Sequence, residues 1–243
     1  MNVRLSLSAL SLAFATITLA ATPSAFATTI NFSCGAGATL NGSSSCPGVA
    51  TLLKAPTGTT TYLGWTQNGF QVVSSVGNAE WVSNVGVGTP SDSIEMGESV
   101  GTYSAANPPQ IRVSETAGGT FYFDSLELQG TISQYSIAGY NGATEEFSLT
   151  CAGSYASCGL SASSFTTISA TSPDTVVTNH AGNPSSPITY LNITVKNPAQ
   201  VESPYNDHVD NIDVTPSPEP GTLLLLGSGL FALAFAVRRR LGV

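Results

Sequence analysis

The chain has 243 residues and a formal net charge of −8 from 7 basic and 15 acidic residues, and only 9% of its residues are charged. The 42% of hydrophobic residues are enough to build a core and argue against wholesale disorder, and the length suits one or two domains. So few basic residues exclude nucleic acid as a partner, since phosphate binding needs many Lys and Arg side chains.

The basic residues are concentrated at the two ends of the chain, where Arg4, Arg238, Arg239 and Arg240 lie. The segment 28–220 holds only three basic residues but all 15 acidic ones, a formal charge of −12. The middle of the chain therefore favours neutral glycans or cations as partners over anionic surfaces.

The N-terminal segment has the three parts of a secretory signal peptide. Arg4 makes the start positive, and residues 5–20 form an uncharged apolar run. Ala25 and Ala27 then supply the small residues of an A-x-A cleavage site. We predict a signal peptide over 1–27, helical in its apolar part and cut after Ala27. The alternative is an uncleaved membrane anchor.

Residues 28–215 show strand patterns and no sustained helical periodicity. Short alternations of apolar and polar residues recur between turn residues such as Gly118-Gly119 and Asn141-Gly142. This pattern predicts one all-β domain, an antiparallel β-sandwich or jelly roll. The predicted strands are 60–63, 69–74, 111–114, 120–129, 134–138, 145–150, 165–169, 189–196 and 208–214.

One long predicted strand has a definite expected orientation. Simple alternation places Phe121, Phe123, Ser125 and Glu127 on one of its faces, and Tyr122, Asp124, Leu126 and Leu128 on the other.

All four cysteines, Cys34, Cys46, Cys151 and Cys158, lie between the two terminal segments. An even number of cysteines in an exported chain predicts disulfides. Three pairings are possible, of which Cys34–Cys46 and Cys151–Cys158 are the local ones. The spacings do not match zinc-binding patterns, so metal binding is the weaker alternative.

Candidate catalytic residues are few and are not grouped. Ser99 lies in a G-x-S-x-G match, but Pro108-Pro109 follow it and no alternation of strands and helices surrounds it, so we expect a glycine-rich loop. His180 and His208 are isolated and are expected to face solvent. We predict no catalytic residues and no metal ligands.

Asp207, Asp210 and Asp213 recur at every third position near the end of the domain. They suggest one structural Ca²⁺ site, because calcium takes several oxygen ligands. However, alternation in a strand would place Asp210 and Asp213 on opposite faces. No other cofactor is predicted.

Several aromatic residues could form a platform on which sugar rings stack. They are Tyr62, Trp65, Trp81, Tyr103, Tyr140 and Tyr205. The alternative is that the tryptophans are core or edge residues, as tryptophan usually is.

The C-terminal segment, residues 216–243, reads as a membrane-directed signal. A proline-rich stretch that contains Pro218, Glu219 and Pro220 precedes an uncharged run over 221–237, and Arg238, Arg239 and Arg240 follow. A helix over that run would span about 25 Å, enough for a thin bilayer. The arginines would stay on the cytoplasmic side and leave the domain outside.

This order of three parts resembles the PEP-CTERM sorting signal. The resemblance implies that exosortase, a membrane-embedded transpeptidase of Gram-negative bacteria, recognises Pro218, Glu219 and Pro220 and cleaves nearby. It implies export through the inner membrane to the cell surface or the medium. The alternative is an ordinary C-terminal anchor that is never cut.

The middle of the chain also resembles the jelly-roll ectodomain common among PEP-CTERM proteins, which is similar in shape to carbohydrate-binding modules. The pieces that carry the likeness are Asn68–Val72, Gly118–Leu128, Tyr135–Gly142 and Val209–Val214. The resemblance implies association with extracellular polysaccharide.

We therefore expect a non-enzymatic protein of the cell surface or extracellular matrix. One alternative is a polysaccharide-active enzyme, which needs two carboxylates in a cleft; Glu95 with Glu98, or Glu145 with Glu146, are available. Another is an ice-binding protein, suggested by the Thr-rich run 57–61 but not by any internal repeat.

Overall fold

The computed structural model describes the residues 26–34, 38–41, 43, 51–52, 64–76, 79–82, 92–96, 108–130, 134–153, 156–161, 163–170, 179–196, 207–217, 227–229 and 232. Ala27–Pro216 form one compact unit, and the two terminal segments are grouped in another. In the terminal unit, residues 227–229 and 232 are helical. The predicted signal helix and most of the predicted helix 221–237 lie outside the described residues.

The described part of the compact unit consists of β-strands. They are β1 (Thr28–Ile30), β2 (Thr39–Leu40), β3 (Thr51–Leu52), β4 (Trp65–Gln67), β5 (Phe70–Val76), β6 (Ala79–Val82), β7 (Ser93–Met96), β8 (Gln110–Glu115), β9 (Phe121–Gln129), β10 (Gln134–Asn141), β11 (Thr144–Ala152), β12 (Thr166–Ser169), β13 (Asn179–Gly182), β14 (Tyr190–Lys196) and β15 (Asp207–Pro216).

These strands form two antiparallel sheets, which confirms the predicted all-β sandwich. Sheet A has the order β12-β9-β15-β7-β6-β3, with β1 paired to β15 beside this path. Sheet B has the order β13-β11-β10-β14-β8-β5-β4-β2. A single hydrophobic core of buried side chains draws on both sheets.

The longer strands coincide with the predicted ones, because each is long enough to show alternation. The short strands β1 to β4, β6, β7 and β13 were not predicted, since two to four residues rarely carry a readable period. The four-residue strand β12 is the exception and coincides with the predicted strand 165–169. The predicted strand 60–63 lies outside the described residues.

Aromatic pairs join the two sheets across the core. Phe121 of β9 meets Phe70 of β5 edge-on, with ring centroids 5.2 Å apart. Phe123 of β9 lies over Phe147 of β11 at 6.0 Å. Strand β9 of sheet A therefore contacts two different strands of sheet B, and such pairs stabilise beyond the area that they bury.

The pairing of β9 with β15 contains two irregularities that correct the predicted orientation of β9. Leu126 and Leu128 are buried together with Phe121 and Phe123, although simple alternation places the leucines on the opposite face. The register shifts between Asp213↔Ser125 and Val214↔Phe123, so that β9 has an extra residue there. Such a bulge inverts the alternation, and the inward face therefore changes between Phe123 and Leu126.

A matching irregularity lies on β15, where three steps from Asp210 to Asp213 oppose two steps on β9. Asn211 adopts a left-handed conformation there, with φ of 42°, which asparagine tolerates better than most residues. Val209, Ile212 and Val214 consequently all reach the core. Because each strand has one extra residue, the two shifts compensate and the strands stay paired to Pro216.

Strand β1 brings the two ends of the compact unit together. Thr28 pairs with Val214 and Ile30 with Ile212, antiparallel. Thr29 Oγ1 donates a hydrogen bond to Asp213 Oδ1, and Ile30 is fully buried. The entry of the chain at Thr28 and its exit after Pro216 therefore lie at the same end of sheet A.

Cys151 and Cys158 form a disulfide, with their Cα atoms 5.8 Å apart, and both are buried. This is one of the two local pairings that the sequence allows. Cys34 is disulfide-bonded as well, and Cys46 lies outside the described residues.

We predict that Gly139→Ala destabilises the domain. Gly139 lies on the core face of β10, where an added Cβ would overlap the Phe147 ring, which itself packs on Phe123. Overpacking of this kind costs about 1–3 kcal/mol, to be measured as the free energy of unfolding in urea. Ser136→Ala, on the outward face of the same strand, is the control and should change stability by less than about 0.5 kcal/mol. Equal stability of the two variants would contradict this packing.

Candidate functional site

The outward face of sheet B is the candidate site. In β8, β10 and β14 the inward residues are mostly apolar and buried, whereas the outward residues, apart from the buried Ala138, are mostly polar or aromatic and half-buried. Alternation in these strands thus separates a core face from a hydrogen-bonding face. The outward residues of these three strands include Gln110, Arg112, Ser114, Gln134, Ser136, Tyr140, Tyr190, Asn192 and Thr194.

A row of planar side chains crosses this face, and we call Arg112, Tyr190 and Tyr140 the planar row. The two tyrosines are directly paired across β10 and β14, and their rings stack with centroids 5.0 Å apart and an angle of 13° between the planes. The guanidinium carbon of Arg112 lies 4.2 Å from the centroid of the Tyr190 ring. Since β10 and β8 flank β14 on opposite sides, both faces of Tyr190 are covered.

Hydrogen bonds fix both ends of the planar row. Arg112 Nε donates to Asn192 Oδ1 at 3.1 Å. Tyr140 Oη donates to Glu145 Oε2 at 3.0 Å. Partial burial of Tyr140 raises the pKa of its phenol, and the Glu145 carboxylate raises it further, so the hydroxyl stays protonated at neutral pH and keeps this hydrogen bond.

Beside the planar row lies an area of polar side chains. Gln110 Nε2 donates to Thr194 Oγ1 at 2.9 Å, and Ser136 pairs with Thr194 on one side and Thr150 on the other. Hydroxyl and amide groups of this kind can each donate and accept. The face therefore matches a ligand that is rich in hydroxyl groups.

The structure selects among the aromatic residues suggested by the sequence. Trp65 is fully buried, its ring centroid 5.8 Å from that of Phe32, and is thus a core residue. Tyr140 does lie on the outward face. The backbone of Trp81 is in β6, while Tyr62, Tyr103 and Tyr205 lie outside the described residues.

Sequence reasoning missed Tyr190 and Arg112. Each lies in a predicted strand, so alternation could have placed each on the outward face. The register between β8, β14 and β10, which joins segments far apart in sequence, could not be read from the sequence.

A second polar group lies buried on sheet A, and it corrects the expectation that His208 faces solvent. His208 is only 5% exposed, and its Nδ1 shares a hydrogen bond of 2.9 Å with Ser93 Oγ. Glu95 and Gln129, on the two neighbouring strands, pair directly with His208 and are buried too. Burial lowers the pKa of His208 to about 4, so the imidazole is neutral at pH 7.

Two acidic residues of β15, Asp210 and Asp213, are held by protein groups. Asp213 Oδ2 accepts from Ser125 Oγ at 2.9 Å and its Oδ1 from Thr29. Asp210 is fully buried, and its Oδ1 accepts from the backbone N–H of Asn211 at 2.7 Å. The bulge also overturns the expected orientation, because Asp210 and Asp213 both point away from the core.

These contacts do not assemble the calcium site that the spacing suggested. Within the described ranges, no group of three or more His, Cys, Asp or Glu side chains could hold a metal ion. Asn211 Nδ2 donates to Glu127 Oε2 at 2.8 Å, so the same residue that binds Asp210 also binds the carboxylate on the neighbouring strand.

The remaining candidates for chemistry fall in different places. Ser99 and Glu98 lie outside the described residues. Glu145 is exposed and bound to Tyr140, and Glu146 is the extra residue of a bulge in β11 opposite Tyr140. The structure therefore does not present Glu145 and Glu146 as a pair in a cleft.

The sorting residues form the other candidate site. Pro218, Glu219, Pro220, Arg238, Arg239, Arg240 and Ala25 lie outside the described residues, and Ala27 is exposed at the start of the compact unit. In the part of the chain that the structure describes, no helix is long and apolar enough to cross a membrane.

Residues 218–240 match the PEP-CTERM protein-sorting motif. No curated protein matches the chain. The fold and the motif together define an exported β-sandwich protein with a C-terminal sorting signal. The motif implies processing by exosortase and sorting to the surface of a Gram-negative cell.

We predict that His208→Asn flattens the pH dependence of stability between pH 6.5 and 4. With a native pKa of about 4 against 6.5, the unfolded chain binds more protons in this window. As the pH falls from 6.5 to 4, the stability of the wild type therefore decreases by about 3 kcal/mol more than that of the variant. Urea unfolding at several pH values measures this difference. Identical slopes in the two proteins would contradict the burial of neutral His208.

Proposed function

We propose that this is a non-enzymatic protein of the cell surface or extracellular matrix that binds extracellular polysaccharide through the outward face of sheet B. Exosortase cleavage near Pro218, Glu219 and Pro220 would free the domain from its C-terminal segment. We propose the same division of the chain as the sequence suggests, with a signal peptide over 1–27, the β-sandwich domain over 28–215 and the sorting signal over 216–243.

The observation that carries the proposal is the planar row with its flanking amides and hydroxyls. The Tyr140 and Tyr190 rings stack on this face, and Asn192 and Thr194 add donors and acceptors in the next rows of β14. From β8 to β11 the face spans three strand spacings, about 14 Å. A face of this width, rich in hydrogen-bonding groups, suits an extended glycan chain better than a small molecule, which needs a concave pocket.

The character of the described groups also supports binding rather than catalysis. An enzyme acting on polysaccharide needs two carboxylates that reach the substrate. On sheet A, Asp210 lies directly opposite Glu127 and could form a carboxylate pair with it. However, Asp210 is fully buried and is bound to Asn211. Glu145, a carboxylate on sheet B next to the planar row, accepts the hydrogen bond of Tyr140.

We predict that exchanging both tyrosines of the planar row for alanine weakens binding to polysaccharide from the host envelope by roughly ten-fold, about 0.5–1.5 kcal/mol per ring. Affinity electrophoresis of the mature protein measures the change. The control is Tyr122→Ala, because Tyr122 is half-buried on β9 of the other sheet. Equal binding by wild type and the double variant would remove this face as the site.

The sorting part of the proposal has its own test. In hosts with exosortase, the mature protein should lack residues 221–243, and in a strain without exosortase the segment should be retained. Intact-mass spectrometry of the protein from both strains distinguishes these products. Retention of the segment in both strains would contradict processing, whatever the outcome for polysaccharide binding.

A further inference from the structure

We infer that the Arg112 end of the planar row recognises the carboxylate of an acidic sugar, so that the polysaccharide bound by sheet B is a polyuronate. This inference rests on the proposed function and names its ligand class. It also departs from the preference for neutral glycans that the net charge alone suggests.

The first step is that Arg112 is held in place before any ligand arrives. Its guanidinium lies over the Tyr190 ring, and its Nε is bound to Asn192. Tyr190 is in turn backed by Tyr140. A planar cation fixed on an aromatic face loses little conformational entropy on binding, which lysine in the same place could not match.

The second step is that the outer edge of this guanidinium remains available. Among the described residues no carboxylate forms an ion pair with Arg112, whose contacts there are Asn192 and the Tyr190 ring. With Nε engaged, the two terminal nitrogens present the parallel N–H donors that bind a carboxylate in a bidentate manner. Asn192, whose Oδ1 is used by Arg112, keeps its amide N–H groups for a second oxygen.

The third step is that nearby acids do not cancel this charge. Glu145 lies on β11, three strand spacings from β8, and its carboxylate accepts the hydrogen bond of Tyr140. Glu115, on β8 itself, belongs by alternation to the face opposite that of Arg112. The charge of −12 over 28–220 acts mainly at long range, where salt weakens it. It slows the approach of an anionic chain without removing the local attraction at Arg112.

The test uses the mature full-length product and two pairs of matched ligands, trimers of galacturonate and of mannuronate together with their methyl esters. The ester keeps the sugar and removes the charge. We expect wild type to bind at least one free acid about ten-fold more tightly than its ester in calorimetry, as a charge-assisted hydrogen bond implies. Arg112→Gln should bring the two affinities together, and Arg112→Lys should restore only part of the difference.

The matched control is Glu127→Gln, which changes the charge by one unit on β9 of the other sheet and should leave the preference unchanged. Thermal unfolding of each variant shows that it is folded. Wild-type binding that does not distinguish acid from ester overturns the inference, as does failure to bind either acid, or binding of dextran sulfate alone. If the tyrosine variants still lose binding to envelope polysaccharide, the proposed function survives that result.

Discussion

The pairing of β9 with β15 is the constraint on which the rest of the sandwich depends. Through β9, sheet A places Phe121 and Phe123 against two strands of sheet B. The edge of β15 that faces away from β9 pairs with β7 in its first half and with β1 in its second half. The two compensating bulges allow both strands to send apolar side chains inward on either side of the irregularities, while Asp210 and Asp213 turn outward.

The all-β architecture could be predicted from the sequence, whereas the bulges between β9 and β15 could not. Alternation in β8, β10, β11 and β14 was strong enough to locate each strand, because each buries one face. It failed in β9 because a bulge depends on the partner strand. Nothing in the run from Phe121 to Leu128 shows where β15 has its own extra residue at Asn211.

The candidate site was predictable only in part, for a related reason. Tyr140 was recognisable as a possible platform residue, whereas the stack that it forms needs Tyr190, 50 positions later, and Arg112, 28 positions earlier. His208 was misassigned because one strand cannot reveal that both of its faces are covered. The sorting motif behaved differently, since its three parts are contiguous and need no fold to be read.

The antiparallel pairing of β1 with β15 has a mechanical consequence. Thr28 and Val214 are partners, so a force applied between the two ends of the domain would open the hydrogen bonds of this pair one after another. A force along the strand axis would instead have to break all the hydrogen bonds between β1 and β15 at the same time. A domain pulled from both ends would therefore peel at β1 under a low force, whereas one held by its C-terminal end alone would keep β1 in place.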